Sequence, residues 1–197
     1  MSERDAVCIA AQKAHDFFRP LDLDFPGQLT IAFKQQIQPS EDFLSIGCYH
    51  PESNSIFVLD YRSAVAASRR APPAFGIPMS ISLWRSYLVH EIAHAIVERY
   101  FMADNHTLAP TEYITAAAQL STLPADVLAH ILSNYRNVSA FRDESEITDL
   151  FYFMKPCEFA VKAYLHYLRS ANGQKFIRRL LQEGLPDSGV RGNIPFF

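Results

Sequence analysis

One apolar stretch that carries two histidines four residues apart constrains the fold more than any other part of the chain. The sequence His90-Glu91-Ile92-Ala93-His94 lies in a run without glycine or proline, which predicts one helix from about Ser80 to Phe101. Apolar residues cover most of its circumference, so we expect the helix to be buried. On such a helix His90 and His94 project from one face and can hold a single metal ion.

The polar side chains of His90, Glu91 and His94 need partners on a buried helix, because an unpaired polar group in an apolar environment costs roughly 2 kcal/mol or more. A zinc ion held by His90 and His94, with Glu91 beside it as a base, would meet this requirement. In the alternative interpretation the histidines are core residues bonded to carbonyl groups, and Glu91 pairs with an arginine.

The third ligand distinguishes the classes of zinc hydrolase. The extended pattern HExxHxxGxxH is excluded, because Val97 and Tyr100 stand at its glycine and third histidine positions. Another class takes a glutamate from the next helix. Glu112 lies eighteen positions after His94, in a segment that predicts a helix with Pro110 in its first turn.

Three alanines that follow Glu112 allow this second helix to approach the first closely, as a shared metal requires. We therefore expect Glu112 to be the third ligand, in preference to three other residues: Glu98, Asp104 and His106. In the alternative interpretation Glu112 is a first-turn glutamate that interacts favourably with the helix dipole.

The HExxH helix with Glu112 on the following helix resembles the gluzincin metallopeptidases. More loosely, the Glu112 helix and the segment from Pro156 to Tyr164 resemble small uncharacterised bacterial proteins classed as metallopeptidases. The closer match covers about Leu88 to Leu120. The resemblance implies a zincin-like fold, a Zn2+ cofactor held by His90, His94 and Glu112, and a peptide or protein substrate. Thermolysin-type gluzincins often have an aspartate four residues after the glutamate ligand, where this chain has Ala116, so another group must orient the histidine.

The predicted ligand set indicates a mechanism. Two histidines and one carboxylate leave a zinc position for a water molecule, whose pKa can fall to roughly 7. Glu91 would be the catalytic base that takes the water proton and delivers it to the leaving amine. The oxyanion also needs a hydrogen-bond donor. The candidates are the tyrosines and histidines of the helical half: His130, Tyr135, Tyr152, Tyr164, His166 and Tyr167.

Two other functions fit the same residues. The motif could hold zinc without catalysis in a structural or regulatory protein, although the intact Glu91 argues against this. An aromatic content of 13% and a hydrophobic content of 49% could instead line the pocket of a metal-free ligand-binding protein.

Length and composition predict one compact domain, residues 1–197. A formal net charge of −3 gives no electrostatic reason to expect nucleic acid as a partner, and the basic residues Lys175, Arg178 and Arg179 are expected to form a solvated face. No apolar run is long enough to predict a transmembrane segment. We expect a cytoplasmic protein if the chain is complete, and a periplasmic or secreted one if a signal peptide was removed.

The three cysteines show no C-x-x-C spacing, so neither a structural zinc knuckle nor a redox pair is indicated. We expect Cys8, Cys48 and Cys157 to be buried structural residues. A disulfide between Cys8 and Cys48 would require export.

The order of predicted elements indicates an α+β fold. A helix from Ala6 to Phe18 precedes three strand candidates, of which the last two could form a hairpin. The strand candidates are Leu29–Phe33, Leu44–Tyr49 and Ser55–Leu59. A sheet edge could bind an extended peptide as an added strand. The second half is predicted to be all-helical, with helices that begin at Pro124 and Pro156, a helical region from Glu144 to Met154, and a last helix from Lys175 to Gln182.

Overall fold

The computed structural model describes residues 2–25, 27–37, 46–103, 107–169 and 173–185. These ranges form an α+β fold with a small sheet and an all-helical C-terminal half, as predicted. The strands are β1 (Thr30–Lys34), β2 (Gly47–His50) and β3 (Ser55–Leu59). The helices are α1 (Glu3–Phe18), α2 (Tyr61–Ser68), α3 (Ile81–Tyr100), α4 (Leu108–Ser121), α5 (Ala125–Asn134), α6 (Asp149–Met154), α7 (Pro156–Arg169) and α8 (Gly173–Glu183).

The sheet has the strand order β1-β3-β2, with β3 parallel to β1 and antiparallel to β2. The predicted hairpin between β2 and β3 is confirmed. Its turn is a single 3-10 turn, Pro51–Ser53, followed by Asn54 in the left-handed conformation (φ 44°). The first residues of the predicted second strand, 44 and 45, lie outside the described residues. Among the described residues β2 is at the edge of the sheet, and it contacts α3.

Helix α1 packs on α3 through a stripe of residues spaced by four. Ser2 caps its first turn in a capping box with Asp5, and the stripe Ala6, Ala10, Ala14 and Phe18 is fully buried. The expectation of a buried Cys8 is wrong, because residue 8 lies about 200° around the helix from Ala6 and is exposed. Cys48 and Cys157 are half-buried, and all three thiols are free.

Helix α3 is the central element of the molecule. The Ser80 hydroxyl caps it by accepting a hydrogen bond from the Leu83 N–H. Trp84 is fully buried, and its indole Nε1–H donates to the carbonyl of Leu59 at 2.8 Å, which fixes α3 against the end of β3. Helix α3 packs against α1, α4 and β2, so its motif residues face neighbouring elements on several sides.

The helical half follows the predicted pattern closely. Pro124 precedes α5 as its N-cap and Pro156 is the first residue of α7. The predicted helical region from Glu144 divides into a 3-10 turn, Glu144–Glu146, and α6. Helix α4 packs against both α3 and α7.

The short helix α2 was not predicted. Of the three basic residues of α8, Lys175 and Arg178 are exposed, as expected, whereas the half-buried Arg179 forms an ion pair with Glu144. In the described part of the chain, no helix combines the length and the apolar character needed to cross a membrane.

Candidate metal centre

Three side chains from α3 and α4 meet in one cluster, and we call His90, His94 and Glu112 the ligand cluster. The two imidazoles approach each other through their Nε2 atoms, which are 3.1 Å apart. Each Nε2 also faces one oxygen of the carboxylate, His90 to Oε2 and His94 to Oε1, both at 3.4 Å. The predicted third ligand is thus brought to the two histidines.

These distances fit a single bound cation. Ligand atoms at about 2.0–2.1 Å from a tetrahedral zinc ion lie roughly 3.3 Å from one another. The separations of 3.1 Å between the nitrogens and 3.4 Å from each nitrogen to its facing oxygen are close to this edge length. The cluster can therefore hold a metal ion without rearrangement of its backbone.

The environment of Glu112 favours an ionised carboxylate that could bind a metal over a glutamate that only interacts with the helix dipole. Burial alone would raise the pKa of this carboxyl, but the two histidines outweigh burial and hold the pKa well below its usual range. Helix α4 begins at Leu108, so Glu112 lies in the second turn, beyond the reach of the strongest N-terminal dipole effect. The alternative interpretation of Glu112 as a first-turn glutamate is therefore wrong.

Two buried atoms of the cluster have no hydrogen-bond partner among the described residues, Nδ1 of His90 and Oε2 of Glu112. An unsatisfied Glu112 Oε2 is expected of a ligand atom that faces a cation site. Because Nδ1 of His90 has no partner, no described side chain orients His90 as the aspartate of thermolysin-type gluzincins would orient a histidine. The Nε2 atoms of both histidines face each other and Glu112, and Nδ1 of His90 has no partner, so the alternative of core histidines bonded to carbonyl groups is not supported.

Glu91 is buried beside the ligand cluster, with 5% of its surface exposed. Burial raises its pKa to about 7, with a further increase from the charge of Glu112. Two contacts act in the opposite direction, the charge of His90 and a hydrogen bond from the backbone N–H of Tyr49. None of these neighbours is an arginine, so the predicted alternative of a Glu91–arginine pair is not supported.

Tyr152 on α6 is the one member of the predicted donor set whose interactions reach the ligand cluster in the described structure. Burial raises the pKa of its hydroxyl well above the ordinary value, and contacts with Glu112 and then the charge of Glu91 raise it further. The position of α6 follows from its first residue, because Asp149 Oδ1 accepts a hydrogen bond from the Ala109 N–H at 2.7 Å. This bond satisfies a free N–H at the start of α4 and ties the helix of Tyr152 to that of Glu112.

The other predicted donors have different partners or positions. His166 Nδ1 lies 2.7 Å from the hydroxyl of Tyr113, and Tyr135 interacts with the thiol of Cys157. Tyr167 packs against Phe17, Tyr164 is buried, and His130 is exposed. None of these contacts joins one of the five residues to the ligand cluster.

Glu98, one of the competing candidates for the third ligand, is exposed and is not part of the group that could hold a metal ion. Asp104 and His106 lie outside the described residues.

Gly47 was not singled out in the sequence, yet it lies directly against Glu91. A Cβ atom built at position 47 would be 2.7 Å from Cγ of Glu91 and 3.0 Å from its Oε1. Only the fold reveals this contact, because the two residues are 44 positions apart.

No curated protein and no solved structure matches this chain. The sequence profile of a family of unknown function, DUF6639, matches residues 1–185. This range contains the ligand cluster, Glu91, Gly47 and Tyr152. Because the match covers most of the chain, the protein belongs to the DUF6639 family.

Proposed function

We propose that the protein is a zinc metallopeptidase in which Glu91 acts as the general base. One observation carries the proposal: a buried carboxyl with a pKa raised to about 7 lies beside two histidines and a glutamate whose ligand atoms converge. A site that only stored or transported a metal would have no need for such an acid.

The donor set favours zinc over other divalent ions. Two imidazole nitrogens with one carboxylate are a common set in catalytic zinc sites, whereas magnesium and calcium prefer oxygen ligands alone. Three protein ligands leave one coordination position for water or substrate. The histidine side chains are 16% and 19% exposed, so the cluster is also accessible from one side.

Each residue then has a role in hydrolysis of an amide bond. A zinc ion held by His90, His94 and Glu112 would supply a water of lowered pKa and would polarise the substrate carbonyl. Glu91 accepts the proton of the attacking water on its carboxylate and passes it to the leaving nitrogen, for which a pKa near the working pH is optimal. Burial of Glu91 provides that pKa, and the Tyr49 N–H holds the carboxylate in place.

Tyr152 is the proposed donor to the carbonyl oxygen as negative charge develops on it. Its hydroxyl contacts Glu112, and its raised pKa keeps it protonated at neutral pH, so it can donate a hydrogen bond. Pre-organised donors of this kind contribute most in sites from which water is excluded, and Tyr152 is half-buried, with its ring packed against the core.

A peptide is the proposed substrate because of the position of β2. This strand is at the edge of the sheet and contacts α3. An extended peptide that runs alongside β2 and the Glu91 carboxyl, without displacing the bond between Tyr49 and Glu91, would bring its carbonyl groups past the ligand cluster.

Incubation of the zinc-loaded protein with a mixed peptide library, followed by mass spectrometry, tests the proposal. We expect new peptide termini with the wild-type protein and none with Glu91→Gln, which should retain its zinc. Glu98→Gln, at an exposed position of the same helix, is the matched control and should remain active. Loss of zinc from Glu91→Gln, or its full activity, would contradict the role of Glu91. A zinc-loaded wild type that cleaves no peptide in the library would contradict the peptidase assignment but not the metal site.

A further inference from the structure

The edge strand β2 presents alternate backbone groups to α3. Ile46 accepts a hydrogen bond from the Leu59 N–H at 2.8 Å, which makes these two residues a hydrogen-bonded pair of the antiparallel ladder. By alternation, the backbone groups of Gly47 and Tyr49 point away from β3. This direction agrees with the hydrogen bond that the Tyr49 N–H donates to Glu91.

Gly47 lies where the side chain of Glu91 passes the strand. A Cβ atom at position 47 would be 2.7 Å from Cγ, 3.0 Å from Oε1 and 3.1 Å from Cδ of Glu91. Real Cβ atoms essentially never approach another heavy atom as closely as 2.7 Å. Glu91 is buried, so its side chain could not move aside without displacing its neighbours.

The backbone of Gly47 gives no other reason for a glycine. The glycines with positive φ in the described chain are Gly27, Gly76 and Gly184, and Gly47 is not among them. A glycine within a strand weakens it, because it adds backbone entropy to the unfolded chain and contributes no side chain to packing. The absence of a side chain at position 47 therefore serves the contact with Glu91.

We infer that Gly47 is a positioning residue for Glu91: its bare backbone lets the carboxylate lie against the edge of β2, where the Tyr49 N–H holds it. Any larger residue at position 47 would push the carboxylate away from this N–H and from the ligand cluster. The catalytic consequence rests on the proposed function, whereas the steric coupling between the two residues does not.

A double-mutant cycle on thermal unfolding tests the coupling without any substrate. In the metal-free protein, Gly47→Ala should lower the Tm by about 3–8 °C, as expected for overpacking of a buried contact. In a Glu91→Ala background the same substitution should leave the Tm unchanged or raise it, because the obstructing side chain is gone. His50→Ala, at an exposed position of the same strand, is the control and should change the Tm equally in both backgrounds.

Zinc affinity and turnover complete the test. Gly47→Ala should bind zinc within about threefold of wild type, because the atoms nearest to the added Cβ belong to Glu91 and not to the ligand cluster. Its kcat for a cleaved peptide should fall roughly tenfold to a hundredfold, with a smaller change in KM. An equal loss of Tm in both backgrounds would overturn the inference, as would unchanged kcat. If the wild type cleaves no peptide, the proposed function fails, and the cycle still decides whether Gly47 positions Glu91.

Discussion

Replacement of Glu91 by glutamine should stabilise the metal-free protein, and the gain should increase with pH. The folded protein holds this carboxyl in a buried site that raises its pKa from 4.5 to about 7. Glutamine has a similar shape, can accept the hydrogen bond from the Tyr49 N–H, and carries no charge to desolvate. The variant therefore removes the ionisation cost and keeps most of the packing.

The sign and size of the effect follow from linkage. Because the folded state binds the proton more tightly than the unfolded state, stability is lost as pH rises from the unfolded pKa near 4.5 through the folded pKa of about 7. The loss amounts to about 1 kcal/mol at pH 5 and about 3 kcal/mol at pH 8. Glu91→Gln should avoid this loss, so its advantage should increase by about 2 kcal/mol between these two pH values.

Urea unfolding in the presence of a chelator, at pH 5 and at pH 8, measures this difference. The exposed Glu98→Gln variant is the control and should change stability little at either pH. A Glu91→Gln variant with the same advantage at both pH values, or with lower stability than wild type at pH 8, would refute the argument that Glu91 is ionised at a desolvation cost.

Three further predictions concern single contacts. Glu112→Ala should weaken zinc binding by orders of magnitude in a competition assay with a fluorescent chelator, while Glu98→Ala changes it little; tight binding by Glu112→Ala would exclude Glu112 as a ligand. Tyr152→Phe should retain zinc but lower kcat about 10²-fold, as loss of an oxyanion donor does, and unchanged kcat would remove Tyr152 from the mechanism. The side-chain amide of buried Gln119 donates a hydrogen bond to the Ser86 hydroxyl at 3.1 Å. Ser86→Ala removes this acceptor and should lower the free energy of unfolding in urea by about 1–3 kcal/mol. An unchanged unfolding midpoint would contradict this prediction.

The parts of the fold that sequence predicts well are those with a local periodic signal. The burial of α3 can be predicted from the apolar residues around most of its circumference. The strands can be predicted from short runs of β-branched and aromatic residues between turns. Helix α2 was missed because it has only eight residues, although Asp60, whose side chain accepts a hydrogen bond from the Ser63 N–H, is a recognisable N-cap. The exposure of Cys8 could also have been predicted from the four-residue spacing of Ala6, Ala10 and Ala14.

In the candidate site, residues related by helical spacing can be predicted from sequence, whereas residues that only the fold brings together cannot. His90 and His94 are related by helical spacing, and Glu112 could be predicted because a following helix with small residues must pack closely. Tyr152 could not be chosen among the tyrosines, because its position depends on the bond between Asp149 and the start of α4. Gly47 could not be identified from the sequence, because its importance depends on a contact with Glu91, which is 44 positions away.

The most direct test of the central claim is the metal content of the purified protein. The protein should be stripped with a chelator, reloaded with zinc, dialysed against metal-free buffer and analysed by inductively coupled plasma mass spectrometry. The convergence of His90, His94 and Glu112 predicts close to one zinc ion per chain, and a large loss of zinc in His94→Ala. A wild-type value near zero, or full zinc retention by His94→Ala, would contradict the metal centre and the function proposed from it.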